Sequence, residues 1–255
     1  MAIRVGVVGA GGRMGSTVCG AVAEDPQLEL VAAVDPHAAG GKRSGVTIDA
    51  SRDALVAAGA EVVVDFTVAA AARETLPWLA EHGIHAVVGT TGFTDEDIAA
   101  ARASFTRSNC LIAPNFAIGA VLMMRFCELA APFFETAEIV ELHHDAKTDA
   151  PSGTATATAV RMAAASADWA PDPTTHEVVA GARGGVGPAG IHVHSLRLRG
   201  MVAHQEVILG TTGQTLTIRH DSYDRTSFMP GVVLACRRVG EHPGVTLGLD
   251  AYLGL

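Results

Sequence analysis

Apolar positions in the first 115 residues follow two alternating rhythms. Short, largely apolar runs at Ile3–Val8, Leu28–Val34, Glu61–Phe66, Ile84–Gly89 and Leu111–Ala113 have the length and composition of strands buried on both faces. Between them, Met14–Ala23 and Ala69–His82 carry apolar residues at helical spacing. A further helix is expected from Thr94, whose hydroxyl is placed to cap it, with Asp95, Glu96 and Asp97 in the positive first turn. Strands alternating with helices at this spacing predict an α/β fold built on a doubly wound parallel sheet.

The second half changes character. A long apolar helix is expected over Ile118–Phe134, then a strand over Ala137–Leu142 and an alanine-rich helix opening after Ser152. Asp168–Gly190, rich in Gly, Pro and Asp, reads as loop; its Gly181–Gly187 stretch with Arg183 is a long surface loop or a moving lid. Three alternating strands then follow closely, Ile191–Arg199, His204–Leu209 and Gln214–His220, and strands in succession predict antiparallel pairing. The pattern gives a first, Rossmann-type domain over 1–115, completed by about 227–255 through a helix near Ser227–Arg238 and an apolar run from Val245. Residues 116–226 form a second, α+β domain with a mostly antiparallel or mixed sheet.

Composition narrows the function. The chain of 255 residues is 49% hydrophobic and 18% charged, which is globular rather than disordered. Its formal charge of −9 argues against a nucleic-acid surface, which needs clustered Lys and Arg. No apolar run reaches membrane-spanning length, and the N-terminus enters a strand at once, so a cytoplasmic protein is expected. Cys19, Cys110, Cys127 and Cys236 stand singly in apolar surroundings and read as reduced packing residues.

The turn after the first strand, Gly9-Ala10-Gly11-Gly12-Arg13-Met14-Gly15, lies between strand and helix, where backbone amides can approach a pyrophosphate. Met14 occupies the last glycine slot of the usual G-x-G-x-x-G, so the spacing is better read as Gly9-x-x-Gly12-x-x-Gly15. Asp35 ends the second strand and can accept hydrogen bonds from ribose hydroxyls, which points to a dinucleotide. Asp35 favours an unphosphorylated ribose. Lys42 and Arg43 could neutralise a 2′-phosphate or form a solvated turn, so NADH and NADPH are both expected, with NADH favoured. Gly89-Thr90-Thr91-Gly92 and Ala113-Pro114-Asn115-Phe116 follow later strands and are candidate nicotinamide contacts or simple turns.

The densest chemistry is Glu-Leu-His-His-Asp-Ala-Lys-Thr-Asp-Ala-Pro-Ser-Gly-Thr at 141–154. Two imidazoles and an ammonium stand beside a helix start, whose free N–H groups attract anions. Proton donors and an anion cradle in one loop suit an enzyme acting on a small carboxylate. Adjacent strand residues face opposite ways, so His143 and His144 need different jobs unless the strand breaks there. A zinc site at these histidines with Asp145, or at His192 and His194, lacks a completing ligand set, and no metal is expected.

With these motifs the chain resembles the 4-hydroxy-tetrahydrodipicolinate reductase family of lysine and diaminopimelate biosynthesis, in its actinobacterial branch. The likeness runs along Gly9–Gly15, Asp-Phe-Thr at 65–67, Val-Gly-Thr-Thr-Gly-Phe at 88–93, Pro-Asn-Phe at 114–116 and the 141–154 motif. The resemblance implies a nucleotide-binding first domain, a second domain for substrate binding and oligomerisation, and a homotetramer. It implies that His143 is the proton donor and acceptor with Lys147 as partner. By the same resemblance His144, Gly153, Thr154 and Arg225 hold substrate carboxylates. Gly9, Ala10, Gly11, Gly12, Arg13, Met14, Asp35, Gly89, Thr90, Thr91, Ala113, Pro114, Asn115 and Phe116 would hold the nucleotide. Asp145-Ala146 replaces positions that are often basic or Pro-His in relatives, which makes this loop less cationic.

Overall fold

The computed structural model describes residues 1–255 and divides into two units, Met1–Ile118 with Arg225–Leu255, and Gly119–Asp224. The first unit begins β1 (Ile3–Val8), α1 (Arg13–Glu24), β2 (Leu28–Val34), β3 (Lys42–Arg43), β4 (Val46–Asp49) and α2 (Asp53–Ala57). It continues with β5 (Val62–Asp65), α3 (Ala69–Glu81), β6 (His85–Val88), α4 (Asp95–Ser104) and β7 (Cys110–Ile112). The second unit carries α5 (Ile118–Ala130), β8 (Thr136–His143), α6 (Gly153–Ala165), β9 (Gly185–Val186), β10 (His192–Arg197), β11 (Ala203–Thr211) and β12 (Gln214–Ser222). The chain closes through α7 (Met229–Arg238), β13 (Val245–Leu247) and α8 (Asp250–Leu253) in the first unit.

The first sheet runs β13-β7-β6-β5-β1-β2-β4-β3, parallel except for the short β3–β4 hairpin. The apolar runs become central strands because both faces are covered; all four residues of β5 are buried. Thr94 caps α4 as its sequence implies: its hydroxyl accepts from the Asp97 amide, and Asp97 returns the bond to the Thr94 amide. β2 and β5 flank β1 on opposite sides, so strand order reverses at β1. Ligands of doubly wound sheets bind at such a reversal. The hairpin of β3 and β4 and the five-residue α2 are too short to show in the periodicity.

The second sheet is mixed, in the order β12-β11-β8-β10-β9. The antiparallel expectation for three successive strands holds for β11 and β12. It fails for β10, which lies on the other side of β8 from β11 and runs parallel to β8. The reason is the crossover: α6 and the long segment after it return the chain to the starting end of β8, as a parallel pair requires. Ala155, Thr158, Ala159 and Met162 form the buried stripe of α6 at helical spacing. The 168–190 segment is loop apart from the two residues of β9 and a single 3₁₀ turn at Pro188–Gly190. The apolar helix ends at Ala130, with Pro132 in a 3₁₀ turn beyond it.

Leu79 of α3 is fully buried in the cluster that includes Val63, Ala86 and Phe105. Leu79→Ala is expected to lower unfolding stability by about 2–5 kcal/mol in urea titration; a loss well under about 1 kcal/mol would contradict the packing of that face.

Candidate active site

The glycine turn after β1 is shaped by contact rather than flexibility. Gly9 has φ +77°, and a Cβ on Gly15 would lie 2.1 Å from the Gly9 carbonyl oxygen. The turn amides of Gly9 and Ala10 donate to Val34 O, that of Gly11 to Asp35 Oδ2 at 3.0 Å, and that of Gly12 to Gly9 O. Helix α1 then starts without a side-chain cap, so the first-turn amides of Arg13 and Met14 have no intrahelical acceptor. That combination fits a nucleotide pyrophosphate. A cavity of about 820 Å³ beside the turn is lined by Gly9, Gly12, Asp35, His37, Arg52 and Thr67. Arg43, considered for a 2′-phosphate, donates to the Ala10 and Lys42 carbonyls, whereas Arg52 lines the cavity.

Asp65 at the end of β5 ties two neighbouring loops together. It is fully buried; its Oδ1 accepts from the Thr67 amide at 2.8 Å, the Thr67 hydroxyl at 2.6 Å and the Thr90 hydroxyl at 3.2 Å. Burial pushes its carboxyl above the usual range, against the lowering effect of those bonds, and Oδ2 is buried without a partner. The 65–67 loop and the Gly89–Thr91 loop are thereby held together. Ala113 and Phe116 are buried, and the Phe116 ring packs on Phe66 at 5.5 Å. Phe116 is a core side chain, and in its loop Pro114 is exposed and Asn115 half-buried.

In the second unit β8 ends at His143, and His144 lies just beyond it, before the turn at Asp145–Ala146, so the strand does break between them. Glu141 is fully buried and faces the same way as His143, two residues on. Its Oε2 lies 2.5 Å from His143 Nδ1 and accepts from Arg197 Nη1 at 2.8 Å; its Oε1 accepts from Arg197 Nη2 at 2.8 Å and the Ser152 amide at 3.1 Å. Burial pushes Glu141 up, but bonds from Arg197, Ser195 and His143 outweigh it and bring the carboxyl down to about 2. His143 is lowered from its ordinary value, mostly by burial and partly by Lys147 and Arg197, against the raising effect of Glu141.

Ser152 caps α6 by accepting from the Ala155 amide, which places Gly153 and Thr154 in the first turn of the helix. Lys147 is held to both Asp149 oxygens at 2.8 Å, and its amide donates to His144 O. His143, His144, Lys147, Gly153 and Thr154 thus belong to one unit, whereas Arg225 opens a 3₁₀ turn of the other. Asp145 pairs with Arg199 at 2.9 Å, an exposed contact. His192 and His194 have protein partners: Arg183 O and Asp172 for the first, Glu138 for the second. Arg183 pairs with Glu138 and Asp172. No group of three or more His, Cys, Asp or Glu is arranged to hold a metal.

Glu141, Arg197, Asp65 and Asp149 are the site residues the sequence reading passed over. The signal for Glu141 was present, an acid two residues before a histidine and so on the same face of the strand. Arg197 could not be placed without knowing that β10 pairs with β8.

Two family models cover the chain: "Dihydrodipicolinate reductase, N-terminus" over residues 3–116 and "Dihydrodipicolinate reductase, C-terminus" over 119–253. A 4-hydroxy-tetrahydrodipicolinate reductase of Cutibacterium acnes is 54% identical over 260 residues, covering 99% of each chain. That of Nocardia farcinica is 51% identical and covers 100% of both. Among solved structures, a dipicolinate-bound dihydrodipicolinate reductase from Paenisporosarcina sp. TG-14 superposes with a TM-score of 0.88 at 38% identity, covering 98% of this chain and 99% of that one.

Asp65→Ala strands the Thr67 amide and the Thr90 hydroxyl, each worth about 1–3 kcal/mol when buried and unpaired. Its urea midpoint should fall further than that of Asp65→Asn, which keeps an acceptor oxygen. Equal midpoints for the two variants would show that these bonds do not hold the loops.

Proposed function

The chain belongs to the dihydrodipicolinate reductase family, and from that premise we propose how its residues divide the reduction of 4-hydroxy-tetrahydrodipicolinate in lysine and diaminopimelate biosynthesis. The first unit holds NADH or NADPH: the first turn of α1 and the glycine turn take the pyrophosphate, and Asp35 takes the adenosine ribose. The 89–91 and 113–116 loops, at the carboxyl ends of β6 and β7, serve the nicotinamide. The bound nucleotide supplies the hydride.

The substrate is a six-membered cyclic imine with two carboxylates, which becomes conjugated on losing water. After hydride reaches the conjugated carbon, the enamine takes a proton on the neighbouring carbon. His143 donates that proton, since imidazole is the side chain that titrates near neutrality. Lys147 steadies the developing negative charge. His144 and the first turn of α6 at Gly153 and Thr154 bind carboxylate, with Arg225 as a further cation for the same task. The observation that carries this reading is the placement of His143, Lys147 and the α6 start on one loop, with Glu141 anchoring both ends of it.

A homotetramer assembled through the second unit agrees with the exposed Val178, Val179, Val186 and Leu216 there. A cytoplasmic location agrees with four free, buried cysteines and with the absence of any helix long and apolar enough to cross a membrane.

The reaction is tested by following NADH oxidation with substrate freshly made from pyruvate and aspartate semialdehyde. His143→Ala is expected to lower turnover by about 10²–10⁴-fold with little change in nucleotide affinity; near-normal turnover would reject its role. Lys147→Ala should lose turnover yet still bind NADH in a fluorescence titration, and a lost nucleotide signal would overturn the division between units. With Asp35 at the ribose and Arg43 committed to Ala10 O, kcat/KM should be higher with NADH than with NADPH; the reverse order would shift the determinant to Arg52.

A further inference from the structure

We propose that Glu141 and Arg197 are a positioning pair that fixes which nitrogen of His143 faces the substrate and sets how tightly that ring holds its proton. The proposal rests on the reading of His143 as the general acid, and its test separates the two.

Register brings the pair together. Parallel pairing sets Ser195 opposite Glu141 and Arg197 opposite His143, so four side chains of β8 and β10 share one face of the sheet. Arg197 meets Glu141 through both terminal guanidinium nitrogens, and its Nη2 also donates to the Asp149 carbonyl at 2.6 Å. This planar fork uses the geometry that distinguishes arginine from lysine. The pairing keeps the buried Glu141 ionised, and an ionised carboxylate only accepts. His143 Nδ1, at 2.5 Å from Oε2, must therefore carry the hydrogen of that contact. Nε2 is left as the nitrogen that exchanges a proton with substrate.

The same arrangement sets proton affinity. Glu141 favours the imidazolium, whereas Arg197 and Lys147 oppose it. The remaining neighbours are neutral or already matched. Opposite His143 and Glu141 on β11 stand Ala203 and Gln205, and Gln205 donates to Thr158 of α6. Asp149 is committed to Lys147, and the Ser152 amide to Glu141. An isolated buried carboxylate would lock His143 in its charged form; Arg197 weakens that hold so the proton can leave. Because Glu141 also holds the Ser152 amide, the ring and the anion-binding start of α6 keep a constant spacing.

The test uses the full-length protein with ¹⁵N-labelled histidine. In the unmutated protein neutral His143 is expected as the Nδ1–H tautomer. E141Q can present its amide N–H to Nδ1, so the tautomer should change to Nε2–H and the His143 midpoint fall. R197Q removes a cation while the carboxylate stays, so the midpoint should rise. The sign in kinetics follows: a general acid is active when protonated, so kcat/KM declines as pH rises through this midpoint. That limb should move to lower pH in E141Q and to higher pH in R197Q. E141Q should lose on the order of 10–10²-fold in kcat, less than His143→Ala.

A purely structural role would lower both melting temperatures without opposite pH shifts. Unchanged tautomer and midpoint in E141Q, or shifts of the same sign in both variants, would overturn the proposal. Should R197Q not fold, E141Q, which keeps the side-chain shape, decides alone. Opposite NMR shifts with an unmoved kinetic limb would support the pair and reject His143 as the acid.

Discussion

A carboxylate with no solvent exposure must be matched within the protein, and that requirement at Glu141 organises the second unit. Removing an ionised carboxylate from water costs several kcal/mol unless its oxygens are matched. Here the matching groups come from three places in the chain: His143 two residues along β8, Arg197 on β10, and the Ser152 amide at the start of α6. Each is also a component of the proposed site or holds one. Satisfying one charge therefore fixes the imidazole, the start of α6 and the order of β8 beside β10. The parallel pairing of these strands has a local reason as well as a topological one, since Arg197 reaches Glu141 only when β10 lies in this register.

The first unit uses the same device at another strand end. Asp65 is as deeply buried as Glu141, and it too gathers donors from two loops. The difference lies in its partners. Hydroxyls and an amide carry no full charge, so burial dominates and Asp65 is raised, whereas the guanidinium at Glu141 reverses the sign. Asp65 accordingly acts as a knot between loops, and Glu141 acts as a knot that also exerts a field. Of the two, only Glu141 sits against a titrating ring whose proton takes part in the proposed chemistry.

Much of this was legible in the sequence because buried parallel strands, glycine turns and helix caps leave dense local signals. Ile3–Val8 and the Gly9–Gly15 turn read correctly since each depends on neighbours a few residues away. The 143–154 motif was readable for the same reason: Ser152, Gly153 and Thr154 announce a helix start by themselves. What escaped were partners distant in sequence. Arg197 is 56 residues from Glu141, and Thr90 is 25 from Asp65. The place of β10 was misread because apolar alternation is the same for parallel and antiparallel neighbours. The crossover through α6, not the strand itself, decides it. Phe116 was read among the nucleotide contacts from its loop alone; that its ring fills the core by packing on Phe66 depends on a partner fifty residues earlier.

Charge balance in the proposed catalytic loop follows from these contacts. The protein carries a net −9 but must receive a dianion. The two cations nearest His143 are not idle: Arg197 is committed to Glu141, and Lys147 to Asp149. The commitments differ in depth. Arg197 meets a carboxylate with no exposure, so exchanging it would strand a buried charge, a loss of about 3–5 kcal/mol for such pairs. Asp149 is 63% exposed, and solvent screening leaves an ion pair of that kind weak. A substrate carboxylate can therefore displace Asp149 from Lys147 at little cost, while Arg197 stays with Glu141. Asp149 keeps the Lys147 ammonium oriented without holding it strongly. In the proposed mechanism the loop thus separates a fixed cation, which would govern the proton on His143, from an exchangeable one, which would be available to the substrate.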